Sequence, residues 1–116
     1  MKRFTIPIGG HKFVCSLVRP QHPIFDGDPT LGVAMATDSR LYFATGCSQS
    51  TYEDTFIHEA FGHAAFEVSG VSQMLREECG FDAKQAAKFE EDAVRKLVLA
   101  WHPLLSHFQF KFPKMV

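Results

Sequence analysis

Residues 56–70 read FIHEAFGHAAFEVSG, and the organisation of the chain turns on how this stretch is read. Ile57, Ala60, Phe61, Ala64 and Val68 recur at helical spacing and form one apolar stripe. Gly70 supplies a stop, because helices commonly end in a left-handed residue. Upstream, Ser50 followed by Glu53 has the S-x-x-E pattern of a capping box, which starts the helix there. Within the stretch His58 and Glu59 are adjacent, and His63 follows Gly62. In a straight α-helix, residues five apart differ by about 140° around the axis, so the two imidazoles diverge. A π-bulge, with its i→i+5 bond, returns them to one face. Gly62 lowers the cost of that distortion because it has no side chain to crowd the widened turn.

The first half of the chain reads as strands. RFTIPIGGHKFVCSLV (3–18) is two short β-like runs around Gly9–Gly10, a hairpin turn. RPQHPIFDGDPT (19–30) is loop. LGVAMATDSRLYFAT (31–45) resumes the strand pattern on either side of a Thr37–Asp38–Ser39 turn, giving a second hairpin. After the histidine helix, SQMLREEC (72–79) has room for two turns before Gly80. Asp82 with Gln85 repeats the capping pattern and opens a long helix to about Trp101, which Pro103 ends. HFQFKFP (107–113) alternates phenylalanine with other residues and is expected to return as a short strand. No repeat or linker divides the chain, so residues 1–116 read as one α+β domain: antiparallel hairpins, then a histidine-bearing helix and a second long helix.

Composition narrows the function classes. Twelve basic and 13 acidic residues leave a formal charge of −1, with no footprint for nucleic acid or an anionic membrane. The three cysteines are scattered, with no C-x-x-C pair, which argues against both a disulfide framework and a cysteine zinc cluster. No signal peptide is read, and the apolar runs are too short to span a bilayer. A cytoplasmic protein is expected.

The chemistry lies in His58, Glu59 and His63. A catalytic zinc takes three protein ligands and keeps one position for water, and a glutamate beside the first histidine can serve as general base. The helix AKQAAKFEEDAVRKLVLAW (83–101) offers Glu90 and Glu91 as the third ligand. Glu90 has Ala86, Ala87, Ala93 and Val94 as helical neighbours, so its carboxylate falls on the buried stripe, where it is costly unless paired or metal-bound. Glu91 borders Lys88 and Arg95 and reads as solvated. Burial therefore favours Glu90. Glu67, one turn after His63, reads as an orienting partner of that imidazole or as plain surface. His102, before Pro103, reads as a cation at a helix end or as an oxyanion donor.

TFIHEAFGHAAFEVSG resembles the active helix of small gluzincin-like metallopeptidases, notably the ImmA/IrrE-like and related phage-encoded proteins. The resemblance takes in the hairpin upstream and FEEDAVRKL downstream, roughly residues 31–101. H-E-A-F-G-H departs from H-E-x-x-H by one residue and matches the H-E-x-x-G-H motif of the dipeptidyl-peptidase III family, whose chains are far larger. That family's second Glu-Glu motif favours Glu91 as ligand where burial favours Glu90. The resemblance implies a minimal zincin-like domain and a zinc-dependent hydrolase, most simply a peptidase acting on a peptide or protein. It implies His58 and His63 as ligands, with Glu90 preferred on burial as the third, Glu59 as general base, and the Leu41–Thr45 strand as the sheet edge that receives substrate. The competing expectation is a catalytically inactive zincin-like module that acts through a protein partner.

Overall fold

Gly9 and Gly10 turn the chain between β1 (Lys2–Ile8) and β2 (His11–Val18), which pair antiparallel with Ile8 opposite His11. Their φ values of 56° and 83° are what a primed two-residue turn requires. The computed structural model describes residues 2–27 and 30–114. After a loop with one 3₁₀ turn at Pro23–Phe25, β3 (Gly32–Met35) and β4 (Arg40–Ala44) form the second antiparallel hairpin. Both hairpins stand where the sequence places them.

How the hairpins join was not anticipated. β2 and β4 run parallel, with Cys15 opposite Leu41 and Leu17 opposite Phe43, so the sheet order is β1-β2-β4-β3. This corrects the expectation that the Leu41–Thr45 strand is the sheet edge: β4 has a neighbour on each side, and the edge strand next to it is β3. The period-two pattern of strands explains the choice. Pairing β2 with β4 puts Phe13, Cys15, Leu17, Leu41 and Phe43 into one core, all at most 2% exposed.

The helical rod packs on that core. It consists of α1 (Gln49–Phe56), a π-helical segment (Ile57–Ala64) and α2 (Ala65–Val68). Tyr52, Phe56, Ala60 and Ala64 close the layer against the sheet. Ile57 packs instead with Val94 and Val98 of α4 (Ala83–His107). The π segment thus lies between sheet and α4. Burying one large apolar side chain is worth roughly 1.5–3 kcal/mol, so two apolar interfaces can hold a widened turn that local propensity would not. α3 (Val71–Glu77) follows Gly70, whose φ of 85° confirms it as the stop.

Three local expectations need correction. The cap of α1 is Ser48, whose hydroxyl accepts from the Thr51 amide, while Ser50 lies inside the first turn. α4 runs through Pro103 to His107. Proline there costs the Leu99 carbonyl its helical donor, and Leu99 is 77% exposed, so water can replace it. The 107–113 tail makes no strand: Phe110 sits edge-on to Phe61 and Phe112 to Phe56, and these ring contacts hold the segment without a ladder, Phe112 half-buried and Phe110 exposed. The Asp82–Gln85 capping box is present with both reciprocal hydrogen bonds. Among the described residues no helix is long and apolar enough to cross a membrane.

Candidate metal centre

The π-helical turn brings His58 and His63 to one face. Their Nε2 atoms are 3.1 Å apart and their ring centroids 4.8 Å. The distortion that five-residue spacing requires is therefore built into the fold, at the segment that carries both histidines.

Gly62 has a second role that its sequence context did not reveal. A Cβ there would lie 2.5 Å from Val94 Cγ1 and 3.0 Å from Cγ2. Only glycine lets α4 come this close, and that approach carries the Glu90–Glu91 pair up to the histidines. Glu91 Oε2 is 2.7 Å from His63 Nε2, and Glu91 Oε1 is 3.1 Å from His58 Nε2. One donor atom each from His58, His63 and Glu91 thus converges on a common point.

Glu90 does not join that point. Its Oε2 accepts from His63 Nδ1 at 2.6 Å, on the far side of the imidazole, and its Oε1 accepts from the Ser72 hydroxyl. Glu90 is the third ligand expected from burial, and the structure sets Glu91 beside the two Nε2 atoms in its stead. Its side chain is indeed the less exposed, 18% against 35% for Glu91. The histidine and serine satisfy it, so its burial does not call for a metal. Glu67 takes no part in holding His63 Nδ1, which is occupied by Glu90.

Glu59 is 5% exposed and lines a cleft of about 740 Å³ together with His58 and Glu91. Thr30, Leu31 and Gly32, at the start of the edge strand, form one wall, and Arg95 and Val98 of α4 form another. Gly32 is the tight point: a Cβ there would meet Thr55 Cγ2 at 2.6 Å and Glu59 Cγ at 3.0 Å. Strand β3 therefore lies directly on the glutamate. Arg95 Nε donates to Glu91 Oε1 at 3.0 Å.

Electrostatics follow from burying three carboxylates around two imidazoles. Burial pushes the Glu59 carboxyl up to about 7, with His63 pulling the other way and Glu91 adding to the rise. Burial alone would lower His63. The hydrogen bond to Glu90 and the charges of Glu59, Glu91 and Glu90 outweigh it and push His63 up to about 9. For His58 burial dominates, and its pKa falls below the ordinary value despite Glu91. The cluster is thus short of positive charge.

Two imidazole nitrogens and a carboxylate oxygen suit zinc. Bond lengths of about 2.0–2.2 Å give a tetrahedral edge of about 3.3–3.6 Å. The two Nε2 atoms are 3.1 Å apart and His63 Nε2 is 2.7 Å from Glu91 Oε2, both tighter than that edge. The 3.1 Å contact to His58 Nε2 is made by the other oxygen, Oε1, so an ion fits once the donors move outward. The hydrogen bond to Glu90 leaves the Nε2 lone pair of His63 for the ion once that nitrogen is deprotonated.

Comparison of the chain with protein-family models, curated proteins and solved structures found no match. Sequence reading did not single out Ser72, Gly32 or Arg95 for the site. Arg95 was visible as the (i, i+4) neighbour of Glu91, but Ser72 and Gly32 had no motif to mark them. His102 sits inside α4, bonded to Glu53 through Nε2 and to Asp54 through Nδ1, so it ties α4 to α1 and does not end a helix.

Proposed function

We propose that this protein is a zinc-dependent hydrolase of peptide bonds, with His58, His63 and Glu91 as metal ligands. One observation carries the reading. Two imidazole nitrogens and a carboxylate oxygen converge at the cleft that Glu59, a nearly buried carboxylate, also lines. Zinc held there would polarise the scissile carbonyl and acidify the attacking water. Glu59 would then serve as general base, taking the water's proton as its oxygen bonds to the carbonyl carbon and delivering it to the departing amine nitrogen as the C–N bond breaks. Glu90 holds His63 by Nδ1 and so fixes the direction of Nε2.

An extended substrate would add to the outer edge of β3, which has no strand beyond it among the described residues and whose first residue, Gly32, lines the cleft beside Glu59, and make main-chain hydrogen bonds there. A cytoplasmic setting accords with the three free cysteines. Glu59→Gln tests the reading. The zinc-loaded wild type is expected to cleave members of a mixed peptide pool, and the variant to keep its zinc while losing at least about 100-fold in rate. Zinc-loaded wild type that cleaves nothing in such a pool would refute the hydrolase and leave a metal-holding interaction module.

A further inference from the structure

Ser72 lies in the first turn of α3 and is 3% exposed. A buried serine in a helix ordinarily returns its hydroxyl to the carbonyl one turn back. Ser72 instead reaches a side chain 18 residues away, Oε1 of Glu90. The other oxygen of that carboxylate holds His63 Nδ1 at 2.6 Å. Ser72, Glu90 and His63 therefore form a single chain across α3, α4 and the π segment, ending at an imidazole whose Nε2 faces His58 and Glu91.

The last torsion of a glutamate has a broad preference, so nothing intrinsic sets the plane of its carboxylate. A carboxylate held by one oxygen can swing about that contact. Held by both, it has one plane, and the imidazole bonded to it has one orientation. We propose that Ser72 is a positioning residue for the divalent cation: acting through Glu90, its hydroxyl sets the direction of His63 Nε2. This rests on the metal reading above. It also means that α3, which carries no ligand, contributes to zinc affinity. By reciprocity, zinc strengthens the docking of α3.

The experiment is zinc affinity of the full chain, measured by competition with a chromophoric chelator. Ser72→Ala is expected to weaken binding about tenfold, as loss of outer hydrogen-bond partners commonly does. In a Glu90→Gln background the same change is expected to add nothing, because Ser72 acts only through that carboxylate. Should Ser72→Ala fold poorly, Ser72→Thr and Ser72→Val compare hydroxyl with methyl at one volume, and only the threonine is expected to stay near wild type. Wild type and Ser72→Ala binding zinc equally would overturn the proposal. So would an equal loss from Ser72→Ala with and without Glu90, which would mark a structural role. Wild type that binds no zinc would overturn the metal reading itself, and this proposal with it.

Discussion

Replacing Gly62 by alanine tests how the site is assembled. At an unstrained helical position the change is expected to stabilise by about 0.5–1 kcal/mol, because glycine carries the larger entropic cost. Here the added Cβ would stand 2.5, 3.0 and 3.3 Å from three carbons of Val94, which is 0% exposed and has no free direction to yield. Carbon contacts settle at about 3.5–4.0 Å, so α4 and the π segment must part by about 1 Å locally. Overpacking of this kind costs about 1–3 kcal/mol, which exceeds the helical gain. The net expectation is a loss of about 1–2 kcal/mol, or roughly 4–8 °C in Tm. Glu91 is one turn before Val94 and contacts His63 at 2.7 Å. A displacement of that size breaks the convergence of donors, so zinc affinity is expected to fall at least about tenfold. Thermal unfolding of the metal-free chain and chelator competition read the two effects separately. Val94→Ala added to Gly62→Ala should restore part of both, as expected for side chains in direct contact. A Gly62→Ala protein as stable as wild type, with unchanged zinc affinity, would refute the close-approach argument.

Tyr52 is 1% exposed and its hydroxyl has no hydrogen-bond partner among the described residues. Tyr52→Phe should therefore raise stability by about 1 kcal/mol in chemical denaturation, and a loss of similar size would contradict this. For His102, burial is outweighed by the hydrogen bonds to Glu53 and Asp54, so the folded pKa stands above the ordinary 6.5. The contribution of this cluster is then complete below about pH 6.5 and is lost as pH rises through the folded value. The stability gap between wild type and His102→Gln should shrink steadily with pH above 6.5, and a gap that widens would reverse the assignment. Gly32→Ala pushes on Thr55 Cγ2 at 2.6 Å and Glu59 Cγ at 3.0 Å. It should cut peptide cleavage about 10–100-fold with zinc content unchanged, and loss of zinc would show that the strain reaches the ligands instead.

Much of the local structure was legible because its causes are local. Gly9–Gly10, the Asp82–Gln85 box and the Gly70 stop each depend on backbone geometry within a few residues. The five-residue interval between His58 and His63 could be read because two histidines on one face demand a π turn, and the segment Ile57–Ala64 is π-helical. The parallel pairing of β2 with β4 could not be read, since it joins strands more than 20 residues apart through a loop with no signature. The cap moved from Ser50 to Ser48 because S-x-x-E is a pattern of side chains, and the deciding fact is which serine leaves helical geometry. Burial did not pick out the carboxylate that faces both Nε2 atoms, for a physical reason. A carboxylate is kept partly buried by any good donor, and His63 Nδ1 with Ser72 supplies two. Ser72 itself carries no pattern, since its meaning depends on a packing of α3 on α4 that no spacing encodes.

Whether two histidines five residues apart and Glu91 hold zinc is decided by metal content from mass spectrometry, on protein purified without chelator or tag histidines, beside a His58→Ala/His63→Ala variant. Close to one zinc per chain is expected in the wild type and none in the variant. No zinc in the wild type after it is supplied, or equal zinc in both proteins, would contradict zinc binding at these residues.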